Sequence, residues 1–349
     1  MEAMVPRRVF AISMALASAT FLLSPPVFAQ NAAKLSTITM AIGAGPGSGY
    51  DSYARLAARH LGRFLPVSPN IVATNMPGAD GLQEATWLYQ TAPKDGSAIG
   101  ILENSTPYEP LLVPAQAGRL DAQKLNWLGS LNSIANIVLV WDTSPIKSVQ
   151  ELFDKEVIVG ATSGNSDSLT MPKLLNRMIG TKFKIVAGYS SSNEVVLAMD
   201  RGEVEGALGI SSDSLQGPFG GMLRDKKFRI LMQIGLEKAK DSFLQNVPSI
   251  MDYVKDETQR NVLKLILAKL QYGRPFAAPP GLPPQTVQQL RVAFQKMAAD
   301  PEFLADAQKL NLPVAFSSGE EINRSIAEVY KTPSATVQQA IAILGSAAN

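Results

Sequence analysis

Short apolar segments of β type alternate with helical segments along most of this 349-residue chain, and this alternation constrains the fold most strongly. The pattern predicts an α/β protein with largely parallel sheets and a mainly helical last third. Strands are predicted at Ser36 to Ile42, Asn70 to Asn75, Ser97 to Leu102, Trp127 to Leu131, Ile137 to Trp141, Glu156 to Gly160, Lys184 to Gly188, Gly206 to Ile210 and Phe228 to Ile234. Helices are predicted at Asp51 to Leu65, Gly81 to Thr91, Ser168 to Ile179, Ser192 to Arg201, Ser211 to Leu223, Thr258 to Leu270, Pro284 to Ala299, Pro301 to Leu310 and Gly319 to Leu344.

The length suits two domains of about 150 residues each, yet no internal repeat or low-complexity linker separates them. We expect two lobes joined by a hinge of two crossover strands, near Asn136 to Asp142 and Phe228 to Gly235. Lobe I is predicted to comprise residues 30–138 and 236–349, and lobe II residues 139–235. Ligands of open α/β sheets bind outside the carboxyl ends of the strands, so a shared cleft between the lobes is the expected site.

The N-terminus has the pattern of an export signal. Arg7 and Arg8 precede an apolar run from Val9 to Leu23, and a Val-Phe-Ala sequence ends at Ala29. This arrangement predicts a signal peptide over residues 1–29 that is cleaved after Ala29, with an uncleaved signal anchor as the alternative. The chain contains no cysteine, and a lipid anchor would need one at the cleavage point. We therefore expect a protein that is free in the bacterial periplasm.

Composition argues against several classes of function. The net charge is only +2 and the basic residues are scattered, so no nucleic-acid partner is predicted. The absence of cysteine excludes thiol catalysis and cysteine-ligated metals. His60 is the only histidine, which leaves no Ser-His-Asp triad and no histidine-rich metal cluster. We predict no enzymatic activity, no cofactor and no metal, although a pair of carboxylates could in principle act together.

A glycine-rich loop follows the first predicted strand, with glycines at positions 43, 45, 47 and 49. No Lys follows these glycines, as a P-loop requires, and the dinucleotide pattern fails because Ser48 and Tyr50 occupy its last glycine position. Free backbone N–H groups at a helix start, with the helix dipole behind them, still favour an anion. The loop therefore predicts an anion site built from Gly47, Ser48, Gly49, Tyr50 and Asp51.

Asp51 is the unusual member of this loop because a carboxylate repels an anionic ligand. It is a good helix N-cap or first-turn acid, and Arg55 lies four residues further along as an ion-pair partner. The alternative is a water-bridged or cation-recognising contact with the ligand. Both interpretations of Asp51 remain open from the sequence.

Similar chemistry recurs in three later loops. Gly160 to Ser168, Gly188 to Asn193 and Gly209 to Asp213 each follow a predicted strand and open a predicted helix. Each combines small residues with hydroxyl or amide groups, and none contains Lys or Arg. These residue types are also common in ordinary turns and caps, so one loop alone is weak support. Several loops at the strand ends of two lobes favour an anion held by backbone amides, hydroxyls and water.

Several segments together resemble a known family. They are GAGPGSGYDSYARLAARHLGRFLP, VATNMPGADGLQEATWLY, APKDGSAIGIL, VGATSGNSDS, KIVAGYSSSNEVVLAMDRGEVEGALG and RPFAAPPGLPPQTVQQLRVAF, in collinear order. The chain is similar to the periplasmic substrate-binding proteins of tripartite tricarboxylate transporters, the TctC or Bug family. It departs from the family where Ser48 and Tyr50 interrupt a usual Pro-Gly-Gly loop and where Lys94 separates Pro93 from Asp95. These departures indicate a divergent member.

The resemblance implies a type II periplasmic-binding-protein fold that closes on a small carboxylate, with subunits of a membrane transporter as partners. The family's two recognition loops correspond to Gly45 to Asp51 and Thr162 to Ser168, and we add the loop at Tyr189. A monomer is expected. A ligand-presenting receptor for a membrane sensor kinase and an exported enzyme remain alternatives. The candidate ligand-binding residues are Gly47, Ser48, Gly49, Tyr50, Asp51, Thr162, Ser163, Gly164, Asn165, Ser166, Tyr189 and Ser190.

Overall fold

The computed structural model describes Met1 and residues 36–114, 120–162, 166–239 and 241–345. The predicted signal peptide and three predicted site residues, Ser163, Gly164 and Asn165, lie outside the described residues. Within the described part of the chain, every helix is too short or too polar to cross a membrane.

The described strands form two sheets. The first has the order β11-β4-β10-β3-β1-β2 and the second β7-β6-β8-β5-β9. The strands of the first sheet are β1 (Thr37–Ile42), β2 (Asn70–Asn75), β3 (Ala98–Ile101), β4 (Asn126–Ser130), β10 (Pro275–Ala278) and β11 (Ser317–Ser318). Those of the second are β5 (Asn136–Trp141), β6 (Val157–Thr162), β7 (Phe183–Tyr189), β8 (Gly206–Ser211) and β9 (Phe228–Ile234).

Helices connect and cover these sheets. They are α1 (Gly49–Leu61), α2 (Leu82–Gln90), α3 (Glu109–Leu112), α4 (Glu151–Asp154), α5 (Asp167–Ile179), α6 (Ser192–Asp200), α7 (Ser212–Gln216), α8 (Gly220–Arg224), α9 (Glu257–Leu267), α10 (Pro284–Ala298), α11 (Pro301–Lys309), α12 (Gly319–Val329) and α13 (Ser334–Gly345). The predicted α/β class is therefore confirmed. Both sheets are mixed, however, because β10 runs antiparallel to β3 and β4, and β5 runs antiparallel to β8 and β9.

Two predicted helices are each divided in the structure. The segment predicted as one helix from Ser211 to Leu223 forms α7 and α8, which are separated at residues 217–219. The segment from Gly319 to Leu344 forms α12 and α13, which are separated at residues 330–333. The two gaps contain Pro218 and Pro333, and proline favours breaks because it lacks the N–H that helix continuation needs.

Each sheet has its own apolar core. Ile38, Met40 and Ile42 of β1 lie on one face of the strand, and they share an apolar cluster with Tyr53, Leu56 and Leu61 of α1. The second sheet is covered on one face by a cluster that includes Leu174 and Leu175 of α5. Its other face packs against Val195 and Met199 of α6 and their neighbours.

The chain passes from the first sheet to the second between β4 and β5, and it returns just before β10. The two crossing segments bond to each other: the Ile134 N–H donates to the Leu270 carbonyl at 3.0 Å, and the Gly273 N–H donates to the Asn132 carbonyl at 2.8 Å. The strands β5 and β9, near which the crossovers are predicted, are neighbours in the second sheet. The predicted lobe boundaries at residues 138 and 236 remain a prediction.

Candidate functional site

A cavity of about 520 Å³ lies between the two sheets. The parallel strands β1, β2 and β3 of the first sheet, and β6, β7 and β8 of the second, end at it. Carboxyl ends of parallel strands are where ligands of α/β sheets bind. The lining segments at or after these strand ends are residues 43–50, 77–81 and 103–105 from the first sheet, and 162, 166–168, 190–193 and 209–211 from the second.

The glycine loop brings a helix N-terminus to this cavity. Ser48 is the N-cap of α1, and its Oγ accepts from the Asp51 N–H at 3.2 Å. The first turn of a helix leaves backbone N–H groups without intrahelical partners, so the start of α1 offers donors to an anion. Gly49 is required by close packing, since a Cβ there would lie 2.6 Å from Nη2 of Arg274.

Asp51 is not among the residues that line the cavity, but its carboxylate holds the glycine loop in place through hydrogen bonds. Its Oδ2 accepts from the Gly47 N–H, and its Oδ1 accepts from Arg55 and from Nδ2 of Asn75, all at 2.9 Å. Burial opposes the charge, but these hydrogen bonds hold the pKa of Asp51 below its ordinary value. The prediction of a first-turn acid paired with Arg55 is confirmed.

Asp51→Ala is expected to lower the free energy of unfolding by about 1–2 kcal/mol, because it leaves the Gly47 N–H without its acceptor and removes one of the two acceptors of the Asn75 amide. Arg55→Ala serves as the matched control, because the Arg55 side chain is half exposed and contributes little as a surface ion pair. Urea denaturation measures both. Equal losses for the two variants would contradict the organising role of Asp51.

The second sheet contributes another helix start. Ser166 is the N-cap position of α5, and Ser168 Oγ accepts from the Thr162 N–H at 3.0 Å and contacts Ser166 Oγ at 3.0 Å. Thr162, Ser166 and Ser168 line the cavity. The predicted residues Gly47, Ser48, Gly49, Tyr50, Thr162 and Ser166 are thus brought together around one cavity.

The third loop is only partly directed to the cavity. Ser190 lines it, but its N–H already donates to Glu194 at 2.8 Å. Tyr189 is not among the lining residues, and its ring instead packs against the apolar core beside α6. Ser191, Ser192 and Asn193 line the cavity instead.

Two cations of the cavity were not expected from the loop sequences. Arg274, just before β10, is 2% exposed, and its Nη2 donates to Asp213 Oδ1 at 2.8 Å and to Ser211 Oγ at 3.0 Å. Its guanidinium lies 4.3 Å from the ring centroid of Tyr50. Lys269 forms an ion pair with Asp167. Both cations therefore carry a protein partner already.

Two acids of the cavity have no cationic partner among the described ion pairs. Asp80 and Glu103 both line it, and the carbon stem of Glu103 packs against Gly81. Burial, together with nearby Asp167, raises the pKa of Asp80 to about 7. Burial and the Asp80 charge raise the pKa of Glu103 to about 8. Neither acid was singled out from the sequence, because isolated acids in turns are ordinary surface residues.

Glu84 lies on α2 near these acids and is fully buried. Neither carboxyl oxygen has a hydrogen-bond partner in the described structure, and burial, with Glu103 nearby, raises its pKa well above the ordinary value. The side chain fills space left by Gly43 and Gly100, where added Cβ atoms would lie 2.8 Å and 2.2 Å from its oxygens. Burial without a hydrogen-bond partner therefore favours the neutral form of Glu84.

The free energy of unfolding is expected to fall as the pH rises from about 5 to about 8, because acids with raised folded pKa values lose protons mainly after unfolding. The contribution of such an acid is complete below its unfolded pKa and is lost as the pH rises through its folded pKa. Glu84→Met removes one such acid, and it should raise stability at about pH 8 by about 1–3 kcal/mol and flatten the profile. Denaturation of each protein across this pH range measures the free energy of unfolding, with the exposed Glu156→Met as the control. An unchanged pH dependence in Glu84→Met would contradict the prediction.

A cluster of His60, Asp300 and Glu302 is the one group of this type in the described chain whose atoms are close enough to share a metal ion. Arg63 occupies its centre. The guanidinium contacts Nδ1 of His60 at 2.8 Å, Asp300 at 2.6 Å and Glu302. The cluster is accounted for by these ion pairs and by the packing of His60 on Phe303.

Two sheets around a cleft, with helix starts from both sides, form the two-lobed fold of periplasmic binding proteins. The sequence profile described as the tripartite tricarboxylate transporter family receptor, TctC, matches residues 54–341. The chain belongs to this family, and the resemblance noted from the sequence is confirmed. Members of the family are periplasmic solute receptors rather than enzymes. No curated protein sequence matches the chain.

Solved structures show the same fold. A TctC solute-binding protein from Polaromonas without ligand is 18% identical, with a TM-score of 0.61 over 89% of this chain and 98% of that one. MatC from Rhodopseudomonas palustris with bound malate is 19% identical, with a TM-score of 0.65 over 88% and 98%. Rpa4515 from R. palustris with adipate is 16% identical, with a TM-score of 0.65 over 89% and 97%.

Proposed function

We propose that this protein is a periplasmic receptor that binds a small organic carboxylate between its lobes and delivers it to a tripartite membrane transporter. The observation that carries the proposal is the cavity into which the N-termini of α1 and α5 open from opposite sheets. Both ends offer backbone donors and hydroxyls to an anion. Family membership and the carboxylates bound by two similar proteins support the same ligand class.

Export fits this role. The residues before the first strand carry the basic, apolar and small-residue order of a cleavable signal, which would release the protein into the periplasm. N-terminal sequencing of the exported protein should find a start at Gln30. A start at Met1 on membrane-bound protein would instead support the signal anchor.

Binding is expected to draw the lobes together about the crossing segments near Ile134 and Gly273. A ligand that contacts both helix starts gains interactions only in the closed arrangement, and this difference shifts the equilibrium toward closure. Small-angle scattering with and without ligand measures the change in radius of gyration. An identical radius in both states would contradict closure.

A thermal-shift screen tests the ligand class. The protein is purified from periplasm, unfolded and refolded to remove host ligand, and heated with mono-, di- and tricarboxylates, with nucleotides and sugars as controls. A ligand at a hundred times its Kd stabilises the folded state by about 2.7 kcal/mol, so one carboxylate class should raise Tm clearly. A shift with nucleotides or sugars alone would contradict the proposal.

Delivery to a transporter has a separate test. A strain lacking this gene should lose uptake of the carboxylate identified in the screen, and uptake should return with the intact gene. Unchanged uptake together with a lost transcriptional response would favour the sensor-kinase alternative.

A further inference from the structure

The cavity is unusual for an anion receptor because its two cations are already paired, whereas two of its acids take part in none of the described ion pairs. Lys269 is paired with Asp167 and Arg274 with Asp213, which leaves Asp80 and Glu103 as lining acids without a cationic partner among the described ion pairs. In their ionised form, these acids repel a second carboxylate group of a ligand placed beside them. The carboxylates of Asp80 and Glu103 therefore favour a positively charged group of the ligand at this end of the cavity.

A separate polar atom points to the same kind of group. Asn136 lines the cavity and is only 1% exposed, and its Nδ2 donates to Asp167 Oδ2 at 2.6 Å. Its Oδ1 has no hydrogen-bond partner in the described structure. A buried acceptor without a donor is costly, so a ligand that brings an N–H group would satisfy it.

The backbone holds one of the acids in position at a local cost. Ala79 and Asp80 have φ values of +48° and +55°, in the left-handed region that residues with a side chain seldom adopt. Gly81 follows at +81° and lies against Glu103. This turn places Asp80 beside Glu103 at the cavity wall.

We propose that the bound solute carries a cationic nitrogen, in the simplest case an ammonium group, which lies between Asp80 and Glu103 while its carboxylate faces the helix N-termini. This inference rests on the proposed function and adds the second half of the ligand. An ammonium has three donors and no acceptor, which suits two carboxylates and the Asn136 carbonyl oxygen. A shared metal ion is disfavoured, because within the described part of the chain these acids do not converge with a third His, Asp or Glu closely enough to hold one.

Proton release distinguishes this arrangement from one in which protonated acids donate to an anion. Bound ammonium favours charged Asp80 and Glu103, so its affinity rises with pH from about 6 to about 8.5, whereas an anion held by the protonated acids binds more weakly over that range. The titratable and charged groups that face these two acids are Tyr50, Glu84, Glu109, Asp167, Lys269 and Arg274.

Titration calorimetry with two matched pairs tests the inference on refolded, ligand-free protein. γ-Aminobutyrate and glutarate differ only in an ammonium or a carboxylate at the far end, and aspartate and malate differ in an amino or a hydroxyl group. We expect the amino member of at least one pair to bind tenfold or more tightly, and to release protons when buffers of different ionisation enthalpy are compared. Tighter binding of glutarate and malate would overturn the inference and leave the carboxylate receptor standing.

Three variants locate the group. Asp80→Asn and Glu103→Gln should each weaken binding of the amino ligand at least tenfold while leaving its non-amino counterpart unchanged or tighter. The exposed Asp225→Asn should change neither affinity, and melting curves confirm that each variant is folded. Equal affinity of the wild type and both acid variants for the amino ligand would overturn the placement. Binding of no member of either pair would overturn the inference, whereas the proposed function would still stand on any carboxylate that the thermal-shift screen identifies.

Discussion

Replacing Arg274 with methionine is expected to lower the free energy of unfolding by about 3–5 kcal/mol, because it leaves a buried charge without its partner. Asp213 is 1% exposed and would keep only its contacts with Ser211 and Asn132. The variant also loses the stacking of the guanidinium on Tyr50, which faces the ligand cavity. Ligand affinity should therefore fall together with stability.

Two further variants isolate the cause of this loss. Arg201→Met removes an exposed arginine that pairs with Glu203, and the denaturation midpoint should remain unchanged. Combining Arg274→Met with Asp213→Asn removes both charges and should recover part of the lost stability. A double variant no more stable than Arg274→Met would show that packing rather than the orphaned charge is responsible.

Gly209→Ala is expected to cost about 2–5 kcal/mol, because it combines an unfavourable backbone conformation with overpacking. Gly209 has a φ of +77°, and an added Cβ would lie 2.4 Å from the Ser168 backbone nitrogen. The neighbour is backbone of the α5 start and cannot rotate away. The substitution therefore pushes this helix N-terminus from its position at the cavity.

Gly180→Ala is the matched control for this prediction. Gly180 ends the same helix with a φ of +79°, but no atom lies within 4 Å of its added Cβ. It should cost only the backbone strain, about 1–2 kcal/mol, and leave ligand affinity unchanged. Equal losses of stability for the two glycine variants, with equal affinities, would contradict the close approach of β8 and α5.

Local sequence patterns predicted most of the elements because the forces that form them are local. The strand β2 begins and ends where its apolar β-type run does, at Asn70 and Asn75. The helix divisions at Pro218 and Pro333 were also encoded locally, but the apolar periodicity on either side outweighed them in the prediction. The strand β10 was missed, since four residues beginning with a proline form a strand only through pairing with the distant β3 and β4.

Only the loop residues of the candidate site could be predicted from the sequence. Glycines and serines at helix starts identify Gly47 to Tyr50 and Thr162 to Ser166 as a possible anion site from their own chemistry. Lys269 and Arg274 reach the cavity from residues far along the chain, and no local pattern reveals their contact with Asp167 and Asp213. Arg274 begins one of the family-like segments, which was the sole sequence signal for it. The roles of Ser163, Gly164 and Asn165 remain predictions.

The burial of Glu84 could not be predicted from the sequence. Its position on α2 resembles that of a surface acid, yet it is buried because Gly43 and Gly100 leave room beside the first sheet. The complementarity of one large and two small residues is visible only when the strands and the helix are packed together. A buried carboxyl group without a hydrogen-bond partner lowers stability, and natural proteins tolerate such losses of stability near binding sites.

A crystal structure of the refolded protein with the carboxylate identified by the thermal-shift screen tests the central claim most directly. We predict one carboxylate group in the cavity, bonded to donors from the start of α1 and from the start of α5. A ligand bound outside this cavity, or held by one lobe alone in the closed state, would contradict binding between the two helix N-termini.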